Sequence, residues 1–143
     1  MTNQPTTLFD ELLALTRAIR ASFDVRAKRV GLTFARARLL TSINRNPGAS
    51  QSELAAAMQI ETPTLKRLLD ALEAQGLAQR HPLPGDARKH AVFLTDIARI
   101  APLLRFRGEV ETALVADVAP EDLATARRVL AQMTLNAERM RTP

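Results

Sequence analysis

The 143-residue sequence predicts a mainly α fold carrying one small β-hairpin, and three observations predict it. Apolar residues recur at spacings of three and four along most of the chain. Start and stop signals divide that periodicity into separate helices. A single stretch, LAQRHPLPGDARKHAVFLT over residues 77–95, has no helical period and reads as two strands joined through a Pro-Gly-Asp turn.

Each element has its own signals. Leu8, Leu12, Leu15, Ile19, Phe23 and Val30 mark one face of a long first helix, which Gly31 ends. Thr33 can cap a second helix through about Asn44, and Asn46-Pro47-Gly48 stops it. Ser50 and Glu53 have the S-x-x-E spacing of a capping box ahead of a short third helix with Leu54 and Met58 inside. Thr62-Pro63 starts a fourth helix, Thr62 as cap and Pro63 in the first turn where its missing N–H costs nothing. Leu65, Leu68, Leu69 and Leu72 form its inner stripe, and Gly76 closes it in a left-handed conformation. After the hairpin, residues up to about Val118 are helical again, with Ile97, Ile100, Leu104 and Leu114 inward and Pro102 kinking the helix or lying in its first turns. Pro120-Glu121-Asp122 opens a last helix with carboxylates at the positive end of its dipole, striped by Leu123, Leu130, Met133, Ala137 and Met140.

The length suits one compact domain, organised as residues 1–31, 32–95 and 96–143. Lys and Arg outnumber Asp and Glu by 20 to 15, and the surplus is uneven. Residues 1–30 carry 5 bases and 3 acids, residues 31–95 carry 8 and 5, and residues 96–143 carry 7 and 7. The positive excess therefore lies in the first two thirds, which favours an anionic partner there. The lack of cysteine excludes disulfides and thiolate chemistry. With no apolar run near the roughly 18 residues of a membrane span, and a polar start unlike a secretory signal, a cytoplasmic protein without membrane contact is expected.

Helix, short helix, leucine-striped helix and hairpin, in that order, make a winged helix-turn-helix region, flanked here by N- and C-terminal helices. At 100° per residue from Leu65, the leucines share one direction and Pro63, Arg67, Asp70 and Ala74 lie roughly opposite. Thr62 and Lys66 flank one side and Thr64 the other, so the start of the fourth helix presents Thr62, Thr64, Lys66 and Arg67. Hydroxyls suit phosphates and base edges, and an arginine can pair bidentately with guanine in a major groove. Solvated bases on a surface helix would look the same in isolation, but a hairpin tip bearing Arg88 and Lys89 suits a neighbouring minor groove.

LTFARARLLTSI, SQSELAAAMQIETPTLKRLLDALEAQGLAQR and PGDARKHAVFLT, taken in order, resemble the MarR family of bacterial transcription regulators. The specific pieces are S-x-x-E-L-A, T-L-x-R-L-L-D-x-L-E-x-x-G-L and the D-x-R at Asp86 and Arg88 followed by Leu94-Thr95. The motifs cover about residues 32–95. The resemblance implies a homodimer whose terminal helices intertwine and hold two winged regions over a pseudo-palindromic duplex site, acting as a ligand-responsive repressor. It implies Arg88 in the minor groove, Asp86 holding the wing by a charge pair, and Ser50 and Gln51 near phosphates. Glu61 and Pro63 stand where the family often has small polar residues, and Pro102 interrupts a helix it usually keeps long. Dimerisation has an independent motive, since the striped first and last helices need a surface to pack on.

Members of the family also respond to small aromatic or anionic effectors. Ser22 and Arg26 fall on the apolar side of the first helix and Arg36 on the side of Leu39 and Ile43, where a ligand carboxylate could pair with a guanidinium. These arginines could instead snorkel to the surface or meet an acid across a dimer. His81 and His90, nine residues apart beside Asp86, are a poor metal set, so no metal or other cofactor is expected. No nucleophile with a base and no phosphate loop points to an enzyme. A winged-helix module binding another protein without DNA is the competing reading, and it would present an apolar or acidic recognition face where this chain has Lys66 and Arg67.

Overall fold

The computed structural model describes residues 4–141. Among them lie α1 (Leu8–Arg29), α2 (Phe34–Arg45), α3 (Gln51–Met58), α4 (Thr62–Ala74), β1 (Ala78–Leu83), β2 (Asp86–Leu94), α5 (Ile97–Leu114) and α6 (Pro120–Arg139). This is the mainly α fold with one hairpin that the periodicity predicts. The chain divides into two compact units, residues 1–107 and 108–143, with the division inside α5, so the first helix shares a unit with the winged region.

Local chemistry accounts for most helix ends. The hydroxyl of Thr33 accepts the amide of Arg36 at 3.3 Å, starting α2. Thr7 and Asp10 form a full capping box on α1 that the leucine periodicity did not reveal. At α3 the Ser50 hydroxyl accepts the Glu53 amide at 3.1 Å and donates to the Glu53 carboxylate at 3.2 Å, so Glu53 meets the side chain of Ser50 rather than its backbone. The stop at α4 is a Schellman closure: Gly76 has φ +72°, its N–H donates to the Glu73 carbonyl, and the Leu77 N–H donates to Leu72. Glu61, not Thr62, is the residue before α4; its backbone is extended and its carbonyl accepts the first helical bond from Leu65. Thr62 is therefore already inside the helix, and its hydroxyl is left on the surface.

The core lies in the first unit. Leu39, Leu40 and Ile43 of α2, Leu54 of α3, Leu65, Leu69 and Leu72 of α4, Leu77, Val92 and Ile100 are all essentially inaccessible to water. Each such side chain contributes roughly 1.5–3 kcal/mol of hydrophobic stabilisation before entropy is counted. Pro102 falls in the second turn of α5, and the helix runs on to Leu114.

Several expected inner positions are exposed, and others are only partly covered, Val30 and Leu104 among them packing against the core. Leu8, Leu15, Ile97, Leu114, Leu130 and Met140 are exposed, while Leu12, Ile19, Phe23, Val30, Leu104, Leu123 and Met133 are half-buried. Among the described residues α6 buries none of its side chains fully. Periodicity identifies the apolar side of a helix but not whether the same chain covers it.

β1 and β2 pair antiparallel, Ala78 opposite Leu94 through Pro82 opposite His90. The root of β2 has a second neighbour. Ser50 forms a bridge with Ala91, the Gly48 N–H donates to the Val92 carbonyl, and the Val92 N–H donates to Ala49, both at 2.9 Å. The hairpin is thereby fastened to the segment that leads into α3.

Candidate nucleic-acid interface

The fourth helix presents its basic start as the periodicity predicts. Leu65, Leu69 and Leu72 are buried and Leu68 is half-buried, which turns Thr62, Lys66 and Arg67 outward. Thr64 is half-buried, and its hydroxyl accepts from Arg67 Nη2 at 3.4 Å. Arg67 is thus steered along the helix by a weak contact while Lys66 stays exposed. Ser50 is occupied as the cap of α3, and Gln51, the first residue of that helix, is half-buried.

The wing differs from the sequence expectation in a way that explains its charge. Its tip is the two-residue turn Pro84-Gly85, with Gly85 at φ +87°, the conformation a type II turn requires after proline. Arg88 and Lys89 are not at that tip. Pro82 pairs with His90, but the next residue, Leu83, pairs with Asp86, so Ala87, Arg88 and Lys89 form a bulge without partners across the hairpin. A bulge re-aims side chains and twists the strand, and both bases are exposed on it. Among the described residues, no ion pair or hydrogen bond engages the side chain of Lys66, Arg88 or Lys89.

Asp86 contributes differently from the charge pair the resemblance implies. Its carboxylate accepts the backbone N–H of Arg88 at 3.0 Å, an Asx turn that replaces a missing ladder bond and shapes the bulge. Nearer the root, His81 meets Phe93 edge-on at 5.4 Å, a diagonal cross-strand contact that stiffens the hairpin.

None of the three residues expected around an effector lines the groove between α1 and α2. Ser22 is exposed and donates to the Ala18 carbonyl. Arg26 is exposed and lies over the Phe106 ring at 4.5 Å, and Arg36 is half-buried on α2. That groove, open and of about 460 Å³, is lined by Arg17, Arg20, Asp24, Thr33 and Phe34, with Arg20 over the Phe34 ring at 4.8 Å.

Sequence reasoning missed Arg80. On β1 it forms an ion pair with Asp70 of α4 and lies 3.4 Å from Glu73 of the same helix, with only 18% of its side chain exposed. Two acids three residues apart on a helix and a base in the next strand are its ingredients, but no spacing in the sequence ties them together.

Helices α2 to α4 followed by a hairpin braced against them define a winged helix-turn-helix protein. The model of the MarR family matches residues 30–89, the part that contains all three helices and the hairpin through Lys89. A MepR–DNA complex from S. aureus is similar at a TM-score of 0.83 and 22% identity, over 92% of this chain and 96% of that one. The transcriptional regulator SlyA is similar at 0.81 and 19% identity, over 92% and 94%. A MarR structure shares 28% identity at a TM-score of 0.70, over 99% of this chain and 97% of the other. Residues 30–89 match the MarR family, and the whole chain has the fold of the MarR transcription regulators it resembles. No helix among the described residues is long and apolar enough to cross a membrane.

Proposed function

We propose that this protein is a homodimeric, sequence-specific regulator of transcription that binds duplex DNA at a pseudo-palindromic site and represses from it. The observation that carries the reading is the pairing of two separate basic projections: Lys66 and Arg67 at the start of α4, and Arg88 and Lys89 on the bulged wing. A helix of this kind fits a major groove, and an arginine on a finger beside it fits the adjoining minor groove. Thr62 and Thr64 add hydroxyls at the helix start, and Ser50 and Gln51 lie at the first turn of α3, suited to phosphates. Exposed Leu8, Phe9, Leu13 and Leu15 on α1, and Val129, Leu130 and Leu135 on α6, give a second copy apolar surface to cover.

An effector arm belongs to the same reading. The groove beside Arg17, Arg20 and Phe34 offers two guanidiniums and an aromatic face, the chemistry for a small aromatic anion.

Selection of bound duplexes from random-sequence DNA provides the probe, and its affinity should fall steeply with salt as phosphate counterions are released. Arg88→Ala should weaken binding to that duplex by about 1–3 kcal/mol in a fluorescence-anisotropy titration. A folded, dimeric Arg88→Ala protein that binds as tightly as the parent removes the wing from the interface. A protein indifferent to duplex DNA at low salt but captured by a protein partner favours the interaction-module reading.

A further inference from the structure

The two projections are useful together only if the angle between them matches the spacing of adjacent grooves. Backbone bonds to residues 48–50 clamp the hairpin on its β2 side, but on the β1 side α4 meets it through an apolar seam of Leu69, Leu72, Leu77 and Ala78, and apolar contact is non-directional. A directional link lies beside it. Arg80 is on β1, opposite the buried Val92, so the pleat aims it inward and not toward solvent. Its guanidinium meets Asp70, and its buried Nε lies 3.4 Å from a carboxylate oxygen of Glu73 without completing a hydrogen bond. Both acids belong to the second half of α4, one turn apart, past the exposed bases.

We propose that Arg80 is a positioning residue for DNA recognition, fixing the hairpin at the angle to α4 that lets Arg88 and the Lys66–Arg67 pair engage at once. The inference rests on the DNA-binding reading above. A planar, forked guanidinium with two carboxylates from one helix constrains orientation, whereas a lysine supplies only a point charge on a flexible stem. Partial burial strengthens the constraint, because water competes less for the pair. Arg80 itself is only 18% exposed and faces the helix, so its effect on DNA is indirect.

The test is a double-mutant cycle on the full-length protein with the selected duplex as probe, combining Arg80→Met with Arg88→Ala. In the parent, Arg88→Ala costs on the order of tenfold in affinity. In the Arg80→Met background the same substitution should cost less than about twofold, because a displaced wing no longer delivers Arg88 to its groove. Arg80→Lys should behave like Arg80→Met, although it keeps the charge. Losses that simply multiply, or an Arg80→Met or Arg80→Lys protein that binds like the parent, overturn the proposal. Asp70→Asn enters the same cycle from the helix side, where the group is 53% exposed and folding is least at risk, and it should show the same coupling. Arg88→Ala without effect in the parent background is a different failure, of the wing contact itself. A merely structural Arg80 would lower the unfolding midpoint but leave the cost of Arg88→Ala unchanged.

Discussion

Helices α4 and α6 are striped alike in sequence and treated oppositely by the fold. Leu65, Leu69 and Leu72 have no accessible surface, whereas Val129, Leu130 and Leu135 keep 42%, 47% and 49% of theirs and Met140 keeps 82%. The difference teaches that an amphipathic period encodes a face, while the cover for that face is encoded elsewhere. For α4 the cover is α2, α3 and the hairpin. For α6 we assign it to a second copy of the chain.

Four measurements would break or sharpen that contrast. The largest effect is expected at Leu69→Ala, which opens a cavity in a closed core and should cost about 2–5 kcal/mol in urea unfolding. A loss below about 1 kcal/mol would mean that the α4 stripe is not the centre of the core. Leu130→Lys should cost roughly 2 kcal/mol of dimer stability, near the transfer free energy of one leucine, and sedimentation equilibrium should show monomers at concentrations where the parent is dimeric. An unchanged mass would return the α6 face to solvent.

The third concerns how the two helices end. Gly76→Ala should cost about 1–2 kcal/mol, because the backbone there is left-handed while an added Cβ would meet nothing within 4 Å, so strain alone is at issue. A substitution without effect would show that α4 stops for another reason. α6 ends on Met140 in an ordinary right-handed conformation and has no such lock.

The smallest effect is at α1. The Asp10 carboxyl is held below its usual 3.8, chiefly by the backbone hydrogen bond from Thr7 and then by that residue's hydroxyl. A depressed carboxylate stabilises the fold above its unfolded value and loses that contribution as pH falls through the folded one. The first turn of α1 should therefore fray below the ordinary carboxylate range, with Asp10 titrating late by NMR. Titration at the usual value would remove the cap.

The features legible in the sequence are those decided within a few residues. Thr33, Ser50 and Gly76 mark helix ends because a cap needs only its own neighbouring amides. The outward set Thr62, Lys66 and Arg67 follows from the leucines beside it. The bulge at 87–89 was not legible, since it depends on how β1, β2 and the 48–50 segment register against one another. The Asp70–Arg80 pair spans a helix end and a turn, and no period links its members. The exposure of Leu8, Leu15 and Leu114 was missed because those residues obey the helical spacing without finding cover in their own chain.

The bridge between Ser50 and Ala91 makes the hairpin a cantilever clamped at one end. From Ala91 to the Pro84-Gly85 turn the free arm is about 20 Å at most if fully extended. Lengthening that arm by one residue per strand would turn each outward side chain beyond the clamp inward, while two per strand would restore the facing and add roughly 7 Å of reach. Changes in the span of this finger are therefore expected in even steps, placed between the clamp and the turn.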